Sequence, residues 1–144
     1  FMEPMVFQSL VARDGFLEHA QVYGHQYGVP RQQVREALAR GQDVVVKIDV
    51  QGAATIKRLA PQGVFIFLAP PSMDELARRL HARKTESTAD LEVRLATARA
   101  EMQRISMFDY VVVNENDSLD AAVAQIEAII AAEKRRVLPR RVQL

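Results

Sequence analysis

Apolar positions along the chain switch repeatedly between helical and strand spacing. Val6, Phe7, Leu10 and Val11 form a helical stripe behind Pro4, whose missing N–H suits a first turn, and Gly15 closes the segment. Residues 16–23, "FLEHAQVY", predict a strand, and the glycine-flanked "GHQYG" at 24–28 predicts a turn. Pro30 opens a second helix with Val34, Ala37 and Leu38 facing inward and Gly41 as its stop. The β-branched run at 44–50 predicts a strand covered on both faces, followed by a helix over 53–59. "VFIFL" at 64–68 predicts another buried strand. Ser72 and Glu75 make an S-x-x-E capping box for a helix reaching about His81. The polar stretch 82–88 lacks apolar anchors. A long helix follows to about Ile105, with Leu91, Leu95, Ala98, Met102 and Ile105 in register. "DYVVVN" at 109–114 predicts a third buried strand, and Leu119, Val123, Ile126 and Ile130 mark a last helix.

Strands alternating with helices predict an α/β, three-layer architecture with a largely parallel sheet. Such sheets bind ligands beyond the carboxyl ends of their strands, where Asp49 and Asn114 fall. No internal repeat is present.

Composition narrows the function classes. The 144 residues suit one domain, and 19 basic against 18 acidic residues leave a net charge of +1. That balance gives no general case for nucleic acid or for a membrane surface. The basic tail beyond Ala132 is short and lacks aromatics, and reads as a solvated helix end. No run approaches the ~18 apolar residues of a membrane span. The chain has no cysteine, which excludes thiol chemistry and suits a reducing cytoplasm. It begins at Phe1 rather than at a methionine, so the expectation is a fragment of a longer protein.

The candidates for chemistry are Glu18, Tyr27, Asp49, the arginines around 79–94 and Asn114. Singly, each has a plain structural reading. Glu18 suits an edge strand, Tyr27 a turn that rests on the core, and Asn114 a turn cap. Arg79 and Arg83, four apart, suit one solvated helix face.

Together they form a pattern. "FLEHAQVYGHQYG" (16–28), "KIDVQGA" (47–53), "FIFLAPPS" (65–72), "RRLHARKTES" (78–87), "VRLATARAEM" (93–102) and "FDYVVVN" (108–114) stand in the order seen in guanylate kinases, which the chain resembles from Phe1 to about Arg136. The resemblance implies a P-loop NTPase-like α/β core, a small GMP-binding subdomain over about 1–40 and a lid region over 82–100. It implies transfer of the γ-phosphoryl group of ATP to GMP with Mg²⁺. Glu18 and Asp49 would read the guanine edge, because ionised carboxylates only accept hydrogen bonds and guanine presents N1–H and N2–H donors. By the same resemblance Tyr27 donates to the GMP phosphate, with Gly24 and Gly28 shaping its turn. Arg79, Arg83 and Arg94 close over the transferred phosphates, and Asn114 lies near adenine.

The chain also departs from the family pattern. None of its six glycines forms a G-x-x-x-x-G-K-[ST] cradle. The resemblance implies that the P-loop, the central first strand and an arginine-bearing stretch precede the block that starts at Phe1. Val29 stands where the family usually has Ser or Thr, and His25 where it has Asn. Lys47 replaces an Asp that helps organise Mg²⁺, so no side chain here is assigned to the metal. Three readings of Lys47 stay open: loss of the metal role, gain of a phosphate-binding cation, or a solvated stem without function. A guanylate kinase whose 144-residue part is inactive alone is the first functional expectation. A non-catalytic binding module of the same fold, or a structural subunit, is the alternative.

Overall fold

The computed structural model describes residues 2–22, 25–82, 88–115 and 118–144. The chain divides into two compact units, Phe1–Gly63 with Arg141–Leu144, and Val64–Arg140.

In the first unit, helix α1 (Pro4–Ala12) has Pro4 in its opening turn and buries Phe7. Strand β1 (Phe16–Val22) pairs antiparallel with β2 (His25–Pro30), setting Glu18 opposite Val29 and Ala20 opposite Tyr27. The segment read as a turn over 24–28 is therefore a strand from His25 onward. Gly28 serves close approach there: an added Cβ would stand 2.7 Å from the Phe16 ring. Gly24 lies outside the described residues. The Phe7 and Phe16 rings are 4.6 Å apart, and His19 sits against both. Helix α2 (Arg31–Ala39) follows Pro30, and Gly41 leaves it at φ +73°, a conformation glycine adopts freely. Leu17, Val50, Ala53 and Ala60 complete this core.

The run at 44–50 is not a strand. Residues 42–49 form no ladder, Val45 is 81% exposed, and helix α3 (Val50–Leu59) begins inside the predicted strand. A parallel strand needs neighbours for its backbone groups, and among the described residues none pairs with this one. Local capping decides instead: the Asp49 side chain accepts from Gly52 N–H at 2.7 Å and starts the helix.

In the second unit, β3 (Ile66–Ala69) and β4 (Tyr110–Val113) pair in parallel. Asp109 fastens the start of this pair, its Oδ2 accepting from Phe65 N–H at 2.9 Å. Helix α4 (Met73–Ala82) opens on Ser72, whose Oγ accepts from Glu75 N–H at 3.1 Å. Helix α5 (Thr88–Met102) buries Leu91, and a 3₁₀ turn (Ile105–Met107) leads into β4. Helix α6 (Leu119–Lys134) buries Ala122 and Glu133, while Leu119 and Val123 are exposed. Its inward face is thus offset from the predicted stripe. Phe65, Phe67, Ala69 and Val112 complete the second core. Residues 83–87, with Arg83 and part of the expected lid region, lie outside the described residues. Among the described residues, no helix is long and apolar enough to cross a membrane.

Candidate functional site

The first unit contains a cavity of about 420 Å³ whose lining includes Glu18 from β1, Arg31 from α2, and Asp49, Gln51, Gly52 and Thr55 from the cap and opening turns of α3. The antiparallel register turns Glu18 to one face of the hairpin. The helix cap fixes Asp49, because one carboxylate oxygen is committed to Gly52 N–H. The structure therefore brings together the two carboxylates that the sequence singled out. Burial, then the nearby Asp49 charge, push the Glu18 carboxyl above its ordinary range, while His19 draws it back. Ionised, the pair presents acceptors to whatever enters, and so selects a partner with adjacent N–H donors.

Arg31 borders the same cavity and is tightly held. Its Nη2 lies 3.0 Å from Asp14 Oδ2 and donates to Phe16 C=O at 3.2 Å, and its Nε donates to Asp14 C=O. These bonds tie the entrance of α2 to the start of β1. Sequence reasoning passed over Arg31, Gln51, Gly52 and Thr55 as site residues. The signal was present, since a helix that opens directly after a candidate carboxylate must place its first turn beside it.

Tyr27 is 56% exposed on β2 opposite Ala20, which lines the cavity, but Tyr27 itself is not among the lining residues. Val29 stands across from Glu18 with no hydroxyl to offer. Lys47 is exposed in the segment before α3.

The second unit holds the remaining described candidates. Arg79 on α4 donates from Nε to Glu75 Oε1 at 2.7 Å and from Nη2 to Asn114 C=O at 2.8 Å. Asn114 N–H donates to Ala69 C=O, extending the β3–β4 ladder by one bond. One arginine thus joins the first turns of α4 to the carboxyl end of β4. Arg94 is half-buried on α5. Among the described residues, no group of three or more His, Cys, Asp or Glu side chains could hold a metal ion.

Residues 1–133 match the sequence profile of the family described as guanylate kinase. A guanylate kinase of Thermus thermophilus is 49% identical over 136 residues, covering 94% of this chain and 61% of that protein. Guanylate kinase 2, chloroplastic/mitochondrial, of rice is 46% identical over 145 residues, covering all of this chain and 51% of its own length. The crystal structure of guanylate kinase from Anaplasma phagocytophilum superposes with a TM-score of 0.76 at 31% identity, over 99% of this chain and 67% of that one. The chain therefore spans between about half and two thirds of the length of these proteins. With the profile match running from the first residue to the end of α6 and the fold shared with a solved member, the chain belongs to the guanylate kinase family.

Proposed function

We propose that this chain forms the guanine-reading part and part of the ATP side of an ATP:GMP phosphotransferase acting in the cytoplasm. The observation that carries this reading is the meeting of Glu18 and Asp49 at one cavity. Two carboxylate acceptors there pair with guanine N1–H and N2–H, whereas adenine offers an acceptor at N1 and no amine at C2. Tyr27, on the same hairpin, donates its hydroxyl to the GMP phosphate. Arg83 and Arg94 neutralise charge on the transferring phosphoryl group, as planar guanidinium groups do well. Arg79 joins them by exchanging Glu75 and the Asn114 carbonyl for phosphate oxygens, and Asn114 contacts adenine.

Among the described residues, the side chains do not fit a Mg²⁺ site of this chain's own. Position 47 carries an exposed ammonium rather than a carboxylate, and ammonium groups do not ligate metal. Mg²⁺ is therefore assigned to ATP, and the described residues contribute through charge and position.

Isothermal calorimetry with GMP and AMP tests the reading. Glu18→Ala and Asp49→Asn are the informative variants, since Asn keeps an oxygen for the Gly52 cap but turns a donor towards the base. Each should weaken GMP by one to two orders of magnitude, because an unpaired buried donor costs roughly 1–3 kcal/mol. Unchanged GMP affinity in both variants would remove the base-reading assignment. Absence of GMP binding, together with capture of a phosphorylated peptide, would favour the binding-module alternative.

A further inference from the structure

We propose that Gly52 is a positioning residue that sets the spacing between the Glu18 and Asp49 carboxylates, and so fixes recognition of a base edge carrying two adjacent N–H donors. The inference rests on the GMP reading above, and names the residue that makes its two acceptors act as one reader. Gly52 touches both carboxylates in different ways. Its N–H donates to Asp49 Oδ1 at 2.7 Å, which fixes how Asp49 presents its other oxygen. Its missing side chain leaves the space that Glu18 occupies. A Cβ built there would lie 3.1 Å from Glu18 Cδ and 3.2 Å from Glu18 Cγ, inside ordinary carbon contact distance. Ile48 Cβ would also lie 3.2 Å away.

Backbone conformation does not account for this glycine. Gly52 is a buried residue in the first turns of α3, where alanine is the more stable choice. What a methyl group at this position requires is that Glu18 give way by a few tenths of an ångström. The proximity is felt electrostatically as well, since the Asp49 charge, after burial, helps hold the Glu18 carboxyl above its ordinary range. The other charged or titratable side chains at this cavity are His19 on β1, Arg31 on α2 and Asp14 before β1.

The test is a double-mutant cycle on the 144-residue chain, read by GMP calorimetry and by carbon-13 titration of the Glu18 carboxyl. Gly52→Ala should raise the Kd for GMP about tenfold, the scale of one misplaced hydrogen bond. In a Glu18→Ala background the same substitution should have much less effect, because the carboxylate that it displaces is gone and only the Ile48 contact remains. In Gly52→Ala alone, the Glu18 titration should fall towards the ordinary glutamate value as its carboxylate leaves its part-buried place and the neighbourhood of Asp49. Additive losses in the cycle with an unmoved Glu18 titration would show a structural role only and overturn the proposal. If the wild-type chain does not bind GMP, the GMP reading fails by itself, and the titration still decides the placement. If Gly52→Ala does not fold, the nuclear Overhauser contact between the Gly52 α-protons and the Glu18 γ-protons of the wild type decides: present, it supports the placement, and absent, it overturns it.

Discussion

Asp49 does two jobs with two oxygens. One caps α3 through Gly52 N–H, and the other is available to the cavity that Glu18 also lines. The motif "KIDVQG" singled out this aspartate but not its cap, because a β-branched run masked the helix start behind it. Glu18 bears the cost of the arrangement. Its folded-state pKa is raised, by burial first and by Asp49 second. The folded chain therefore binds that proton more tightly than the unfolded chain, and stability falls as pH rises from the ordinary glutamate value through the raised one. Glu18→Gln removes the ionisation. By scanning calorimetry its Tm should exceed that of the wild type at pH 7 and match it near pH 3, below both values. A Tm lower than wild type at both pH values would mean that the carboxylate stabilises the fold. The same variant should bind GMP poorly, since the amide turns a donor towards guanine.

Elements were legible where the cause was local. Pro4, Pro30 and Gly41 mark helix boundaries that the structure reproduces, and Ser72 supplies its half of the predicted box. The other half differs: the Glu75 carboxylate takes Arg78 and Arg79, so the salt bridges of α4 engage the residue that a reciprocal cap would use. Ser72→Ala should cost about 1 kcal/mol in urea unfolding, the usual loss of an N-cap oxygen. Elements that depend on partners were not legible. Hydrophobic spacing at 44–50 records what such residues tolerate, not whether a neighbouring strand is present. In α6 it records a stripe, but not that Glu133 replaces an apolar residue inside. Glu133 is kept there by Tyr110, whose hydroxyl donates to its Oε1, and by Arg140 Nε at 3.0 Å. The Tyr110 bond, then the Arg140 and Arg136 charges, hold the Glu133 carboxyl below its ordinary range against its burial. A depressed carboxyl stabilises the fold above its unfolded-state value and loses that contribution as pH falls through the folded one. Tyr110→Phe should therefore lower the urea midpoint at pH 7. The deficit should shrink as the pH drops below the ordinary glutamate range, and a pH-independent deficit would contradict this account.

Across the whole molecule, the two kinds of chemistry fall in different units. The residues proposed to read the base, Glu18, Asp49 and Gly52, lie in the first, and Arg79, Arg94 and Asn114, proposed for the phosphate and ATP side, lie in the second. Phosphoryl transfer is mostly positioning and charge stabilisation, and its strongest device is a set of preorganised backbone N–H groups around the phosphates. No stretch of these 144 residues has the G-x-x-x-x-G-K-[ST] spacing that builds such a cradle. Lys47 is one exposed ammonium on a flexible stem, and a single mobile cation does not hold several phosphate oxygens in line. The proposed guanine reading, by contrast, draws on Glu18 and Asp49, which line one cavity of the first unit. Residues 1–144 should therefore bind GMP and yet form no GDP. Calorimetry should show GMP binding that Glu18→Ala weakens, while a coupled ATP-consumption assay on the same preparation stays at its blank rate with GMP, ATP and Mg²⁺ present. Turnover that rises with enzyme concentration and disappears in Arg94→Ala would overturn the cradle argument and place phosphoryl transfer on the arginines alone.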